Sequence, residues 1–277
     1  MSKGLDSPDA YVVIGNPIAH SKSPLIHTRF AAQTGENLRY QTLLAPIEGF
    51  AASVQAFIRQ GGRGANVTVS FKLDAFALAD DHTPRAKAAG AVNTLHFKDG
   101  RILGDNTDGV GLVNDIVNNA GVALSGKRIL LVGAGGAARG VILPLLAQMP
   151  TQCVIVNRTE ARAQALMQQF AAPPAPLRAA RFDTLTGHFD VIINATSASL
   201  AAQLPPLPPT VFAPGVFVYD MMYAAHPTLF MQLAAHHGAT VRDGLGMLVE
   251  QAAESFFIWR GVRPDTKAVH AWLRTQL

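Results

Sequence analysis

The sequence predicts an α/β chain of two domains, an N-terminal one on a mainly parallel sheet and a second of Rossmann-like βαβ type. Three observations carry this. The 277 residues make about two domains at roughly 150 residues each. Short apolar runs alternate with amphipathic or Ala-rich stretches, the signature of parallel strands joined by crossover helices. At Arg128–Val132 the alternation restarts with an apolar run that feeds a glycine-rich turn.

The elements follow in order. Tyr11–Ile14 reads as a strand stopped by Gly15-Asn16-Pro17. A helix begins near Ser23, with Ser23 as N-cap, Pro24 at the first helical position and Leu25, Ile26 and Phe30 on its apolar face. A strand near Tyr40–Leu44, a helix over 49–60 and a strand over Asn66–Val69 come next, then a helix from about Phe71. Thr83-Pro84 is an N-cap and first-position pair, with Gly90 as the stop. Ala91–Phe97 and Arg101–Gly104 form a hairpin around Asp99-Gly100. After Asn106-Thr107-Asp108 a helix runs to about Ala120. The second domain has strands at Arg128–Val132, Cys153–Val156, Val191–Asn194 and Val216–Tyr219, with helices over 136–149 and 159–170. Ala171–Leu177 and Leu204–Pro209 are Pro-rich loops, and Met247–Ile258 is an apolar helix, with Phe256-Phe257 and Trp259 read as its core. The residues alone give a first domain at about 1–108 and a second at about 109–243, and leave the last helices open to either.

Composition excludes several classes. Hydrophobic residues are 49% and charged ones 15%, which excludes disorder over most of the length. The net charge is +4 and the basic residues do not cluster, so no nucleic-acid partner is expected. The single cysteine, Cys153, permits no intramolecular disulfide and fits a reducing cytoplasm; within a strand it reads as a buried small hydrophobe. The opening MSKGLDSPDA lacks a signal-peptide core, and no run is long and apolar enough for a membrane span. The nine histidines show no ligand spacing, so no metal is expected; His236-His237 read as exposed at a helix end.

The turn Gly133-Ala134-Gly135-Gly136-Ala137-Ala138 fits the dinucleotide fingerprint in its strand–turn–helix setting. Gly133 permits the tight turn, Gly135 lets backbone approach a pyrophosphate, and Ala138 allows close helix–strand packing. The helix N-terminus then offers free N–H groups to the phosphates. The next strand ends in Asn157-Arg158-Thr159 with no acid. A carboxylate there grips the ribose 2′-hydroxyl of NAD, whereas Arg158 suits a 2′-phosphate, so NADP(H) is the expected cofactor.

Three clusters mark the first domain. Ser21 and Ser23 stand two apart at a helix start, which suits a carboxylate. Asn66, Thr68 and Lys72 gather near one strand end. Asn93-Thr94 and Gly104-Asp105-Asn106-Thr107-Asp108-Gly109 add uncharged hydrogen-bonding groups, the kit for a polyhydroxylated small molecule. Each cluster also has a plain reading as a cap or turn.

Taken together, GNPIAHSKSP (15–24), NVTVSFK (66–72), AGAVNTL (89–95), GDNTDG (104–109), GAGGAARG (133–140), NRT (157–159), NATS (194–197), YDMMY (219–223) and DGLGMLVEQAA (243–253) resemble the NADP-dependent shikimate dehydrogenase family over nearly the whole chain. The resemblance implies reversible reduction of 3-dehydroshikimate to shikimate, in chorismate and aromatic amino-acid biosynthesis. It implies Lys72 and Asp108 as the catalytic pair, and Ser21, Ser23 and Tyr223 at the substrate carboxylate. It places Asn66, Asn93 and Gln251 at the ring hydroxyls and Thr68 in the substrate site. Gly133, Ala134, Gly135, Gly136 and Ala137 fall in the pyrophosphate loop, Asn157, Arg158 and Thr159 at the adenosine phosphate, and Met221 and Gly244 along the nicotinamide. It also returns the last segment to the substrate domain, giving 1–108 with 244–277 and 109–243. Monomer and homodimer both stay open. Ser70 stands where the family usually has proline, and Ala198-Ser199 and Ala224–Thr228 also depart from its pattern. A quinate/shikimate dehydrogenase is the near rival; a methylenetetrahydrofolate dehydrogenase-like enzyme and a non-enzymatic NADP sensor are the others.

Overall fold

The computed structural model describes residues 7–68, 70–170, 176–196, 198 and 203–277. The N-terminal stretch before Ser7, Val69, the proline-rich loop over 171–175, and Ser197 and Ser199 of the motifs named above lie outside the described residues. The chain divides into two compact units, residues 1–107 with 251–273 and residues 108–250 with 274–277.

In the first unit the order is β1 (Asp9–Gly15), α1 (Ser23–Thr34), β2 (Leu38–Leu44), α2 (Phe50–Arg59), β3 (Gly62–Val67), α3 (Lys72–Leu78), β4 (Asp81–His82), α4 (Pro84–Ala89), β5 (Thr94–Lys98) and β6 (Arg101–Asp105). The sheet runs β2-β1-β3-β5-β6-β4. β1 is parallel to β2 and β3, and β4 to β6, while β5 is antiparallel to both its neighbours. This connectivity matters for the site. Asn66 near the end of β3 pairs with Thr94 at the start of β5, and Thr94 pairs with Asp105 at the end of β6. The loops after β1, β3 and β6 and the loop before β5 therefore open on one edge of the sheet, where α/β folds bind ligands.

The second unit begins with α5 (Asp108–Asn114), which continues as a π-helical turn over Asp115–Asn119. Then come β7 (Arg128–Val132), α6 (Gly136–Leu146), β8 (Gln152–Val156), α7 (Glu160–Phe170), β9 (Leu177–Ala180), β10 (Phe189–Asn194), β11 (Phe212–Asp220), α8 (Leu229–His236) and β12 (Thr240–Asp243). All five strand pairs are parallel, in the order β12-β11-β10-β7-β8-β9. That is the doubly wound order with the chain reversing between β7 and β10. Apolar side chains pack on both sheet faces: Ile129, Leu131 and Ile193 on one, Leu130, Val132 and Ile192 on the other. This explains why the strands read as unbroken apolar runs. α9 (Leu245–Arg260) starts in the second unit and ends in the first, and α10 (Thr266–Arg274) follows. Met247 joins the core of the second unit, and Trp259 packs with Tyr11 and Tyr40 in the first. The contact division thus falls within α9 rather than at residue 243.

Several expectations are corrected. Ser23 is the first helical residue, not the N-cap: Lys22 holds that position in helical geometry, and the Ser23 N–H points to Ser21 Oγ at 3.3 Å. β3 covers 62–67 rather than 66–69. Gly64 is required there, since a Cβ would lie 2.5 Å from the Trp259 indole nitrogen. The helix expected to Ala120 ends as the π-helical turn, and the one expected to Met149 stops at Leu146, two residues after Pro144. Leu177 begins a strand rather than ending a loop, β4 and β12 were not read at all, and of α8 only the end at His236-His237 was read. The strands expected at Val191 and Val216 start earlier, at Phe189 and Phe212. Phe257, expected in the core with Phe256, is 40% exposed and carries Arg263 over its ring at 4.6 Å. The Asp99-Gly100 hairpin stands, with both φ angles positive as a type I′ turn needs.

Candidate active site

The second unit carries a cavity of about 490 Å³ at its topological switch point. One wall is the turn Gly133–Ala137, another the end of β10 at Ala195-Thr196, and Asn157 and Arg158 stand at the end of β8. Gly133 takes φ 110°, and a Cβ there would lie 2.9 Å from Thr196 Cγ2, so both backbone and packing demand glycine. At Gly135 and Gly136 nothing lies within 4 Å of a Cβ position. That open space fronts the first turn of α6, whose Gly135, Gly136 and Ala137 are exposed. Ala138 is fully buried behind it. Backbone donors at a helix N-terminus, facing an open volume, fit a pyrophosphate. The Asn157 side chain spends one N–H on the Thr159 carbonyl at 2.9 Å, which shapes the turn into α7. Arg158 is exposed on the rim and no acid adjoins it in 157–159. The residues present therefore fit NADP better than NAD. Phe182 and Gln203–Pro206 complete the wall, contributions that no sequence signal marked. Thr159, Met221 and Gly244 lie outside that lining. Gly244 instead donates to the Met222 carbonyl at 3.1 Å, and Met221 is buried beside it. Burial, and then the Asp243 carboxylate, raise the pKa of Tyr223.

In the first unit the uncharged amides meet. Asn66, Asn93, Thr94, Thr107 and Ser255 are all buried. Asn66 Nδ2 donates to Ser255 Oγ at 2.9 Å and Thr94 Oγ1 at 3.1 Å, and the Asn93 amide lies 3.4 Å from Gln251 Oε1. Tyr40, which the sequence reading passed over, donates its hydroxyl to Asn66 Oδ1 at 2.7 Å. Burial raises the Tyr40 pKa well above its ordinary value, and the nearby Ser23 hydroxyl offsets a little of that. Ser23, Tyr40 and Asn66 thus form one row, with Ser21 beside Ser23. Thr68 is half-buried, its N–H on the Ile14 carbonyl at 3.0 Å. Lys72 opens α3 half-buried, and its carbonyl accepts the Val92 N–H at 2.9 Å. Asp108 opens α5 directly after Thr107. Ser70 has φ 82°, a backbone closed to proline. Its hydroxyl donates to the Asn16 carbonyl at 3.4 Å.

His27 lies beneath this row, stacked on Tyr40 with ring centroids 4.1 Å apart. Among the described residues neither ring nitrogen has a hydrogen-bond partner of good geometry. Burial dominates and lowers its pKa to about 3, against which the Asn66 side chain has a small opposing effect. The unfolded chain takes up this proton near pH 6.5 and the folded one only near 3. Between those values the unfolded state binds more protons, so stability drops as pH falls, by about 1.4 kcal/mol per pH unit. Urea unfolding at pH 7, 6 and 5 should show this slope in the native chain relative to His27→Phe. Equal slopes would rule out a neutral buried His27.

Cys153 is fully buried, and burial pushes its thiol up to about 12, which makes it inert. His236 is exposed and His237 half-buried at the end of α8. Among the described residues no group of three or more His, Cys, Asp or Glu is placed to hold a metal, and no helix is long and apolar enough to cross a membrane.

A doubly wound unit with a glycine turn, joined to a second α/β unit lined with buried amides and hydroxyls, defines a nicotinamide-dependent oxidoreductase of a small polar substrate. The comparisons with known proteins narrow the class. Residues 13–95 match the model of the shikimate dehydrogenase substrate-binding domain, 114–202 that of shikimate / quinate 5-dehydrogenase, and 244–274 that of the shikimate 5'-dehydrogenase C-terminal domain. The chain is 64% identical over 269 residues to shikimate dehydrogenase (NADP(+)) of Janthinobacterium sp. (strain Marseille), covering 97% of this chain and 98% of that one. It is 62% identical, at the same coverage, to shikimate dehydrogenase (NADP(+)) of Herminiimonas arsenicoxydans. Among solved structures it resembles an Ael1 enzyme from Pseudomonas putida, with TM-score 0.93 and 49% identity over 96% of this chain and 98% of that one. It also resembles the Thermus thermophilus shikimate 5-dehydrogenase solved with NADP(H) and shikimate, with TM-score 0.86 and 31% identity over 97% of this chain and 100% of that one. The chain belongs to the shikimate dehydrogenase family.

Proposed function

We propose that this chain catalyses the reversible, NADP-dependent interconversion of 3-dehydroshikimate and shikimate, in the cytoplasm and in the route to chorismate and the aromatic amino acids. One observation carries the reading: the glycine-turn cavity has Arg158 and no carboxylate at its ribose end. Gly133–Ala137 would hold the pyrophosphate, and Asn157, Arg158 and Thr159 the adenosine phosphate. Met221 and Gly244 would line the nicotinamide. When bound, NADPH supplies the hydride.

The chain's own residues orient the substrate and move the proton. Ser21 and Ser23, with Tyr223, hold its carboxylate, while Asn66, Thr68, Asn93 and Gln251 take up its hydroxyls. As the carbonyl carbon gains the hydride, its oxygen becomes an alkoxide and needs a proton. The Lys72 ammonium stabilises that charge and donates the proton, and Asp108 orients Lys72 and shares in the transfer. In the reverse direction the same pair accepts the hydroxyl proton of shikimate.

Steady-state oxidation of shikimate and quinate, each with NADP and NAD, tests the assignment. Shikimate with NADP should give the highest kcat/KM. A higher value with quinate, or with NAD, identifies a quinate/shikimate dehydrogenase instead, and absence of turnover in all four identifies a sensor.

A further inference from the structure

The amides assigned to the substrate sit on three buried hydroxyls to which no role attaches, those of Thr94, Thr107 and Ser255. Ser255 is the least expected. It lies on α9, one turn after Gln251 and so on the same helix face. Its Oγ lies 2.8 Å from Thr94 Oγ1 and 3.4 Å from Thr107 Oγ1, and it donates to the Gln251 carbonyl at 3.0 Å. We propose that these three hydroxyls are positioning residues that fix which edge of Asn66 and Asn93 meets the substrate, and with it the enzyme's discrimination among ring hydroxyls. The proposal rests on the reading of Asn66, Asn93 and Gln251 as the hydroxyl-binding groups.

The hydroxyl and amide hydrogens decide the orientation. Each hydroxyl has one to give and two lone pairs to receive with. Thr94 gives its hydrogen to Asn93 Oδ1 at 2.8 Å, and Ser255 shares its own between Thr94 Oγ1 at 2.8 Å and the Gln251 carbonyl at 3.0 Å. The lone pairs left on Ser255 Oγ and Thr94 Oγ1 then receive the two hydrogens of Asn66 Nδ2, at 2.9 and 3.1 Å. With its amide hydrogens committed, Asn66 meets a ligand through Oδ1, as an acceptor, and Tyr40 occupies only one lone pair of that oxygen. Asn93 is set the opposite way. Its Oδ1 receives the Thr107 N–H at 2.9 Å and the Thr94 hydroxyl, while its Nδ2 points to Thr107 Oγ1 at 3.0 Å. Both lone pairs are spent, so Asn93 turns its Nδ2 edge toward Gln251, whose Oε1 lies 3.4 Å away. Thr94 is bonded to both amides. Without the hub either amide is able to turn over and exchange its oxygen for its nitrogen.

The test uses Thr94→Val, Thr94→Ser and Ser255→Ala, with Asn66→Ala as a reference for direct contact. Substrates are shikimate and an analogue lacking one of its two non-reacting ring hydroxyls. Thr94→Val and Ser255→Ala should each raise the shikimate KM about ten-fold with kcat within about three-fold, the size of one hydrogen bond lost to binding alone. The kcat/KM preference for shikimate over the analogue should fall by the same factor, a change that a loss of stability does not produce. The Kd for NADP stays at the native value, and Thr94→Ser, which keeps the hydroxyl, returns KM to within about two-fold. If Thr94→Val does not fold, Ser255→Ala carries the test alone. A raised KM for Asn66→Ala with native KM and preference in the hub variants overturns the hub and leaves the substrate site standing. A native KM for Asn66→Ala overturns both.

Discussion

Lys72→Ala lowers kcat about 10³-fold and changes KM for shikimate less than about three-fold, the size expected when a general acid–base group is removed without loss of ground-state binding. The reasoning starts from position. Lys72 is the first residue of α3 and sits half-buried beyond the end of β3, on the sheet edge that also carries Thr68 and Asn93. Its main chain is tied down, because its carbonyl receives the Val92 N–H at 2.9 Å. The side chain thus projects from a fixed anchor, and an ammonium is the natural partner for a developing alkoxide. Alanine removes the ammonium and leaves the hydroxyl-binding amides in place, which is why the loss falls on turnover. Lys72→Arg should recover little, since a guanidinium retains the charge but does not release a proton near neutral pH. Steady-state kinetics in both directions provide the check; turnover within ten-fold of native in Lys72→Ala would remove Lys72 from the chemistry.

Arg158→Asp inverts the cofactor preference. The NADP kcat/KM falls about 10²-fold or more, because a charge-assisted contact worth about 1.5–3 kcal/mol is lost and a carboxylate now repels the 2′-phosphate. The NAD value rises, since the new carboxylate accepts from the ribose 2′-hydroxyl, as acids at this strand end do. The position supports so large an effect: Arg158 is exposed on the cavity rim, and Asn157 spends one of its amide hydrogens within its own turn. Kinetics with each dinucleotide at saturating shikimate measure the switch. An unchanged NADP to NAD ratio would place the phosphate contact elsewhere.

The cofactor half of the site was legible because its constraints are local. A strand, a turn needing φ 110° at Gly133 and a helix start are written in consecutive residues. The acid-free end of β8 is equally local. The substrate half was legible only as a set of unusual residues, since its geometry is made over long separations. Ser255 reaches Asn66 across 189 residues and Tyr40 reaches it across 26. No spacing rule selects either, and Tyr40 read as an ordinary strand aromatic. Two of the errors have local causes instead. Ser23 looked like a cap until Ser21 was seen receiving its N–H. Phe257 was placed in the core from the apolar run around it, yet it faces outward under Arg263. The end of α9 also needed tertiary structure, because one continuous helix serves the cores of both units.

The most direct test of the central claim follows the transferred hydrogen. Native protein is incubated with NADP and shikimate that carries deuterium on the carbinol carbon oxidised to the ketone, and both products are weighed by mass spectrometry. The account predicts NADPH one mass unit heavier than normal, formed in equal amount with 3-dehydroshikimate. NADPH of ordinary mass, or cofactor reduction without 3-dehydroshikimate, would contradict it.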